Sequence, residues 1–134
     1  MNPTVRKALG VLAGLGVAIG VIFGVEGLNG VLFPLPPGTD LSNPEAMKAV
    51  LAGLPTMALI VVLIGWALGS VLGGWVATAV GGRTRGPATV LGAILFLGAL
   101  YNLYTIPHPA WFWVPGLLVW LPGVKLGEKL GTGG

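Results

Sequence analysis

From Thr56 to Val80 the chain carries no charged residue, and that single run constrains the fold more than any other feature. A helix crossing hydrocarbon needs about 20 apolar residues, because backbone polar groups left unpaired in lipid are too costly. Three further runs fit the same template. They reach from about Ala8 to Phe33, from Pro87 to Tyr104, and from Ala110 to Leu126. The first is interrupted only by Glu26 and Asn29. The fourth is the shortest and contains Pro115 and Pro122, with Lys125 snorkelling at its end. The expected fold is therefore an all-α membrane protein, four transmembrane helices arranged as two hairpins in one domain spanning residues 1–134.

Composition agrees with lipid as the solvent. Only 8% of the 134 residues are charged and 54% are hydrophobic, with a mean hydropathy of +0.91. A soluble domain keeps its surface wet with roughly a quarter of its residues charged. The absence of cysteine excludes disulfides, thiolate catalysis, thiolate metal sites and prenylation. Seven Lys and Arg stand singly or in pairs, which argues against a nucleic-acid partner and for membrane orientation. Arg6-Lys7 ahead of an apolar run also resembles a signal peptide, but the run is too long and lacks a small-x-small cleavage site.

Between the first two spans, Pro34-Leu35-Pro36-Pro37-Gly38 is a stretch no helix crosses. Ser42-Asn43-Pro44-Glu45 follows, reading as a cap, a proline at the first helical position and an acid in the first turn. It predicts a short interfacial helix that ends at Pro55; the alternative is one long helix from Pro44 to Val80. Arg6, Lys7, Arg83, Arg85, Lys125 and Lys129 fall on one side of the spans, against Lys48 alone on the other. The positive-inside rule then places both termini in the cytoplasm of a cell whose inner membrane holds the chain. Tyr101, Tyr104, Trp111, Phe112 and Trp113 fall on the outer side, as an aromatic belt would.

The halves echo one another. Asn29, Pro34 and Pro36 recur as Asn102, Pro107 and Pro109, and Gly69-x-x-Leu72-Gly73 recurs as Gly123-x-x-Leu126-Gly127. This suggests a parallel internal repeat of two hairpins related by an axis along the membrane normal.

Small residues every four positions let helix backbones approach closely, an important source of attraction inside lipid. Gly16, Gly20 and Gly24 form one such row, and Gly65, Gly69 and Gly73 another. The expectation is that the two rows pack on each other, with an oligomer as the alternative use of either row.

Few polar residues remain that can act. Glu26 is an acid inside the first span, placed by its position in the run beyond the middle of that helix, near the outer edge of the hydrocarbon. Asn29, Asn102, Tyr104 and His108 fall at similar depth. These five form a candidate polar cluster, either a structural contact between hairpins or a path for ions, protons or a ligand. His108, between two prolines, reads as an exposed turn residue. Arg83 and Arg85 are candidates for acidic lipid headgroups. A metal site of His108, Glu26, Asp40 and Glu45 is possible on paper only, and no serine sits in a nucleophile-elbow pattern. Pro122 leaves the Leu118 carbonyl without its usual donor.

The strings Gly73-Gly74-Trp75-Val76-Ala77 and Ile106-Pro107-His108-Pro109-Ala110-Trp111-Phe112-Trp113 resemble those of uncharacterised small four-span bacterial membrane proteins. The resemblance covers most of the chain and implies a bacterial inner membrane and no activity. Size and an acid in the first span are also similar to small multidrug resistance transporters. Against that match, Glu26 is displaced outward, the aromatic and glycine motifs are missing, and the charge bias opposes dual insertion. The expectation is a non-enzymatic protein without cofactor or metal, whose partners are membrane lipids and either copies of itself or other membrane subunits. A small transporter or channel using Glu26 is the alternative, and a lipid-modifying enzyme the weakest.

Overall fold

A computed structural model describes all residues 1–134 as helices joined by short connections, with no strand. Helix α1 spans Pro3–Leu32, α2 Pro44–Gly53, α3 Thr56–Val80, α4 Gly86–Thr105, α5 Ala110–Leu118 and α6 Trp120–Thr132. Local chemistry sets each boundary. Asn2 Oδ1 accepts the Thr4 N–H at 2.8 Å, and Pro3 follows it at the first helical position. Phe33, held off the α region by Pro34, ends α1. Asn43 caps α2, accepting from Glu45 N at 3.0 Å and Ala46 N at 3.4 Å. Leu54, extended ahead of Pro55, separates α2 from α3, so the short helix and the second span are distinct elements. After α3 the chain reverses through Gly82 at φ +94° and Arg83 at φ +58°, with Arg83 N donating to Thr78 O at 2.8 Å. Ile106, ahead of Pro107, ends α4.

Three helices, α1, α3 and α4, are long and apolar enough to cross a membrane. The expected fourth span is not one uninterrupted helix. It is divided at Val119 into α5 and α6, because Pro122 has no N–H to offer the Leu118 carbonyl. The backbone at Val119 stays helical, at φ −63° and ψ −28°, so the interruption is local.

Helix α3 is the spine. Helix α1 runs along one side of it, α6 along another, and α4 bridges α1, α3 and α6. The α1–α3 seam is made of small residues, but not by the expected α1 row. Gly10, Gly14 and Ala18 are buried in it, whereas Gly16, Gly20 and Gly24 meet nothing within 4 Å. At about 100° per residue, the two rows lie about 160° apart on α1, so only one can face α3. The α3 half is as expected: Gly65, Gly69 and Gly73 are buried there. A Cβ on Gly73 would stand 2.8 Å from Gly14 O, and one on Gly69 3.0 Å from Ala18 O.

A second glycine seam joins α3 to α6. Gly123, Gly127 and Gly131 lie against Ser70, Gly74 and Thr78. A Cβ on Gly74 would approach Val124 O to 2.8 Å, and one on Gly131 would approach Trp75 O to 2.9 Å. Helix α3 therefore uses small residues on two sides. Side chains of ordinary size on either would force the backbones apart and forfeit dispersion contacts along the whole seam.

An aromatic column fills the space these seams leave. His108 stacks on Phe112 with centroids 4.6 Å apart, Phe112 meets the edge of Trp66 at 5.4 Å, and Trp66 meets Trp120 at 5.2 Å. Phe112 is fully buried, so it belongs to this column and not to an aromatic belt. Tyr101, Tyr104 and Trp111 are exposed, whereas Trp113 packs against the core. The repeated Asn-Pro-Pro pattern ends both helices alike, with Asn29 O accepting Phe33 N at 2.8 Å and Asn102 O accepting Ile106 N at 2.9 Å. Packing differs between the halves. Helix α1 lies along α3 throughout, whereas α4 touches α6 over a much shorter stretch.

Candidate functional site

The antiparallel register of α1 on α3 fixes the depth of Glu26. Gly65 packs on Val25, Gly69 on Ile22 and Ala18, and Gly10 on Ala77 and Gly81. Glu26 is thus level with Gly65 and Trp66. The midpoint of the Thr56–Val80 helix falls near Leu68, so Glu26 stands about 5 Å from that midpoint at 1.5 Å per residue. It lies nearer the middle of the bundle than the apolar run suggested.

Two recesses meet at this level. The larger, about 480 Å³, is a groove between α1 and α4 whose back wall includes Trp66 and Trp120. Leu15, Ile19, Ile22 and Phe23 line it from α1, and Ile94, Leu95, Gly98 and Ala99 from α4. The smaller, about 330 Å³, lies beneath α2 and is bordered by Met47, Val50 and Leu51 of that helix. Glu26, Trp66 and Asn102 line both.

Of the five residues expected to cluster, four share the recess beneath α2: Glu26, Asn29, Asn102 and His108. Tyr104 is 83% exposed and lines neither recess. Asn29 donates Nδ2–H to Ala58 O at 3.0 Å, while its buried Oδ1 has no partner. His108 is partly buried, with Nδ1 2.9 Å from Ile106 O, which corrects its reading as an exposed turn residue. Burial against Phe112 and the α2 recess pushes its imidazole below the ordinary value of 6.5, opposed in part by the Ile106 carbonyl. Glu26 shares both recesses with the Trp66 indole. Both ion pairs lie elsewhere, at Glu128.

Asp40 stands in the exposed turn before α2. Its carboxylate accepts Ser42 Oγ at 2.6 Å and Ser42 N at 3.0 Å, which hold it below the ordinary range. Neither Asp40 nor Glu45 lines the recesses, and no three acid or histidine side chains come together as a metal would require.

At the opposite end of the bundle the cationic residues converge. Arg6 Nε donates to Val80 O at 3.3 Å, Arg85 Nε lies 3.8 Å from Glu128 Oε1, and Lys125 Nζ lies 3.1 Å from Glu128 Oε2. Arg83 and Arg85 remain exposed. Glu128, whose side chain is only 9% exposed, had no role in the sequence reading. Its signal was present in the Lys125-x-x-Glu128 spacing, which places both side chains on one helix face. Trp66 and Trp120 were missed as well, since nothing local distinguishes a tryptophan facing a groove from one facing lipid.

No protein-family model matches the chain, and comparisons with curated proteins and with solved structures give no match.

Proposed function

We propose that the chain is a small, non-enzymatic integral membrane subunit that docks through α1 onto a second copy of itself or a neighbouring membrane subunit. In this reading α5 and α6 complete a fourth, bent crossing. The end bearing Arg6, Lys7, Arg83, Arg85, Lys125 and Lys129 faces the cytoplasm of a bacterial inner membrane.

The observation that carries the reading is a contrast among glycines. The interior glycines of α3 and α6 meet a neighbouring helix within 4 Å, as do Gly10 and Gly14; Gly30 of α1 and Gly98 of α4 stand open beside the two recesses, whereas Gly16, Gly20, Gly24 and Gly27 of α1 meet nothing and line neither recess. Glycine costs about 1 kcal/mol against alanine inside a helix, and close backbone approach offsets that cost wherever this chain uses it. Four uncompensated glycines on one side of α1 are explained by a helix that the isolated chain lacks. Helix α1 is also the least covered of the long helices, with 17% of its apolar window buried against 44% and 39% for α3 and α4.

The test is Gly20→Leu, with mass measured in nanodiscs. A wild-type assembly that falls to monomer supports the reading, and a wild type that is monomeric in native lipid ends it. Co-purification of other chains from native membranes separates self-assembly from an accessory role. A second reading, a small transporter using Glu26, is favoured by the depth of that carboxylate. Proton or cation flux into liposomes, lost in Glu26→Gln, would support it.

A further inference from the structure

Glu26 is the one carboxylate within α1, α3 and α4 at the level of the aromatic column, no Lys or Arg of those helices stands there, and no cation of this chain pairs with it. It lines the groove between α1 and α4, whose remaining walls are mostly apolar. The groove's length follows from its lining, since Leu15 and Glu26 are about 16 Å apart along α1. It is therefore elongated and open on one side, with its acid toward one end. Asn102 lines the same end and its side chain makes no hydrogen bond within the chain.

A second, independent observation concerns Trp120. Trp120 is 2% exposed and lines this groove, and its Nε1–H has no acceptor in the chain. A buried donor left without a partner is costly, so the site lacks an oxygen acceptor as well as a cation.

We infer that the α1–α4 groove binds a single-tailed amphiphile whose head carries a protonated amine next to a hydroxyl or carbonyl oxygen. The tail lies along Leu15, Ile19 and Ile94. The ammonium N–H groups donate to the Glu26 carboxylate and the Asn102 amide oxygen, and the neighbouring oxygen accepts the Trp120 N–H. An anionic head is excluded by Glu26, and a head without N–H groups forgoes the hydrogen bonds that Glu26 and Asn102 offer. The inference concerns binding alone. It uses a different side of α1 from the assembly reading and holds whether or not anything is transported.

The experiment measures binding of radiolabelled N-dodecylethanolamine to the full chain in phosphatidylcholine nanodiscs. Saturable binding is expected, competed by dodecylamine more weakly than by the unlabelled ligand and not by dodecyl sulfate. Glu26→Gln should weaken it about tenfold or more, the worth of one charge-assisted contact. Trp120→Phe keeps a ring in the column but removes the N–H, and should bring the ethanolamine and the plain amine to equal affinity. Gly98 lines the groove and has open space where a side chain would go. Gly98→Leu should therefore abolish binding while leaving the melting temperature unchanged, which separates a blocked groove from a misfolded chain. Non-saturable uptake equal in wild type and Glu26→Gln would mean partition into the bilayer and would overturn the inference. Saturable binding unaffected by Gly98→Leu would overturn it too. So would a dimer that Gly98→Leu splits with no amine bound by either form, since the groove would then belong to a second copy. Flux and assembly mass are measured separately, so their failure is distinguishable from failure of binding.

Discussion

Gly20 and Gly69 are the same residue type in the same four-residue spacing, and they meet opposite surroundings. A side chain on Gly69 runs into Ile22 and the Ala18 carbonyl, while one on Gly20 enters open space. Gly69→Leu is therefore expected to lower the chain's own stability by about 3 kcal/mol, as overpacking against backbone does. Gly20→Leu is expected to leave the monomer's unfolding transition within about 0.5 kcal/mol of wild type; denaturation in mixed micelles compares the two. The sequence contained both α1 rows, and spacing alone did not say which one α3 would choose. Gly10 and Gly14 were legible as small residues but not as the seam, because the choice depends on the rotation of α1, a property of the pair of helices. His108 makes a pH-dependent contribution whose sign is fixed by its environment. Its imidazole is held neutral in the fold and titrates below its unfolded value of 6.5, so the unfolded chain takes up the proton more readily. The contribution is fully present above that value and lost as pH falls through it. Thermal unfolding followed from pH 7.5 to 5 should show a decline that His108→Gln flattens.

At the scale of elements, α3 was the most legible. Its boundaries follow from Pro55 at one end and the Gly81-Gly82 reversal at the other, both visible as local chemistry. The short α2 was legible for the same reason, through Asn43 and Pro44. The last crossing was less so. Apolar content ran on to Leu126, but α6 continues to Thr132 with Lys125, Glu128 and Lys129 in it, because Glu128 is neutralised from two sides. Glu128→Gln keeps the shape and removes the charge, and should cost about 1–2 kcal/mol. That cost should shrink in high salt, since Arg85 and Lys125 are 84% and 58% exposed. Chemical denaturation at two ionic strengths checks both parts. Pro122→Ala restores a donor for Leu118 O and should join α5 and α6 into one continuous helix, readable as slower amide exchange at Leu121 and Gly123.

For the whole molecule, the two ends differ in charge, with Lys48 apart from the six other cations. The chain has no cysteine, so single cysteines report sidedness without background. Thr84→Cys should react with an impermeant maleimide only in inverted vesicles, and Thr39→Cys only in intact cells; the reverse pattern would invert the proposed orientation. The candidate site was partly visible beforehand, as Glu26, Asn29, Asn102 and His108. Its aromatic wall was hidden, because Trp66 and Trp120 are about fifty residues apart in sequence and meet only once α3 lies between α1 and α6. That central position bears on synthesis. Ser70, Gly74 and Thr78 are small where they receive α6, which leaves the ribosome about forty residues after α3. Until it arrives, α3 presents a furrow of small residues beside its completed seam with α1. A chain cut short at Val119 would be left with that slot in α3 unfilled.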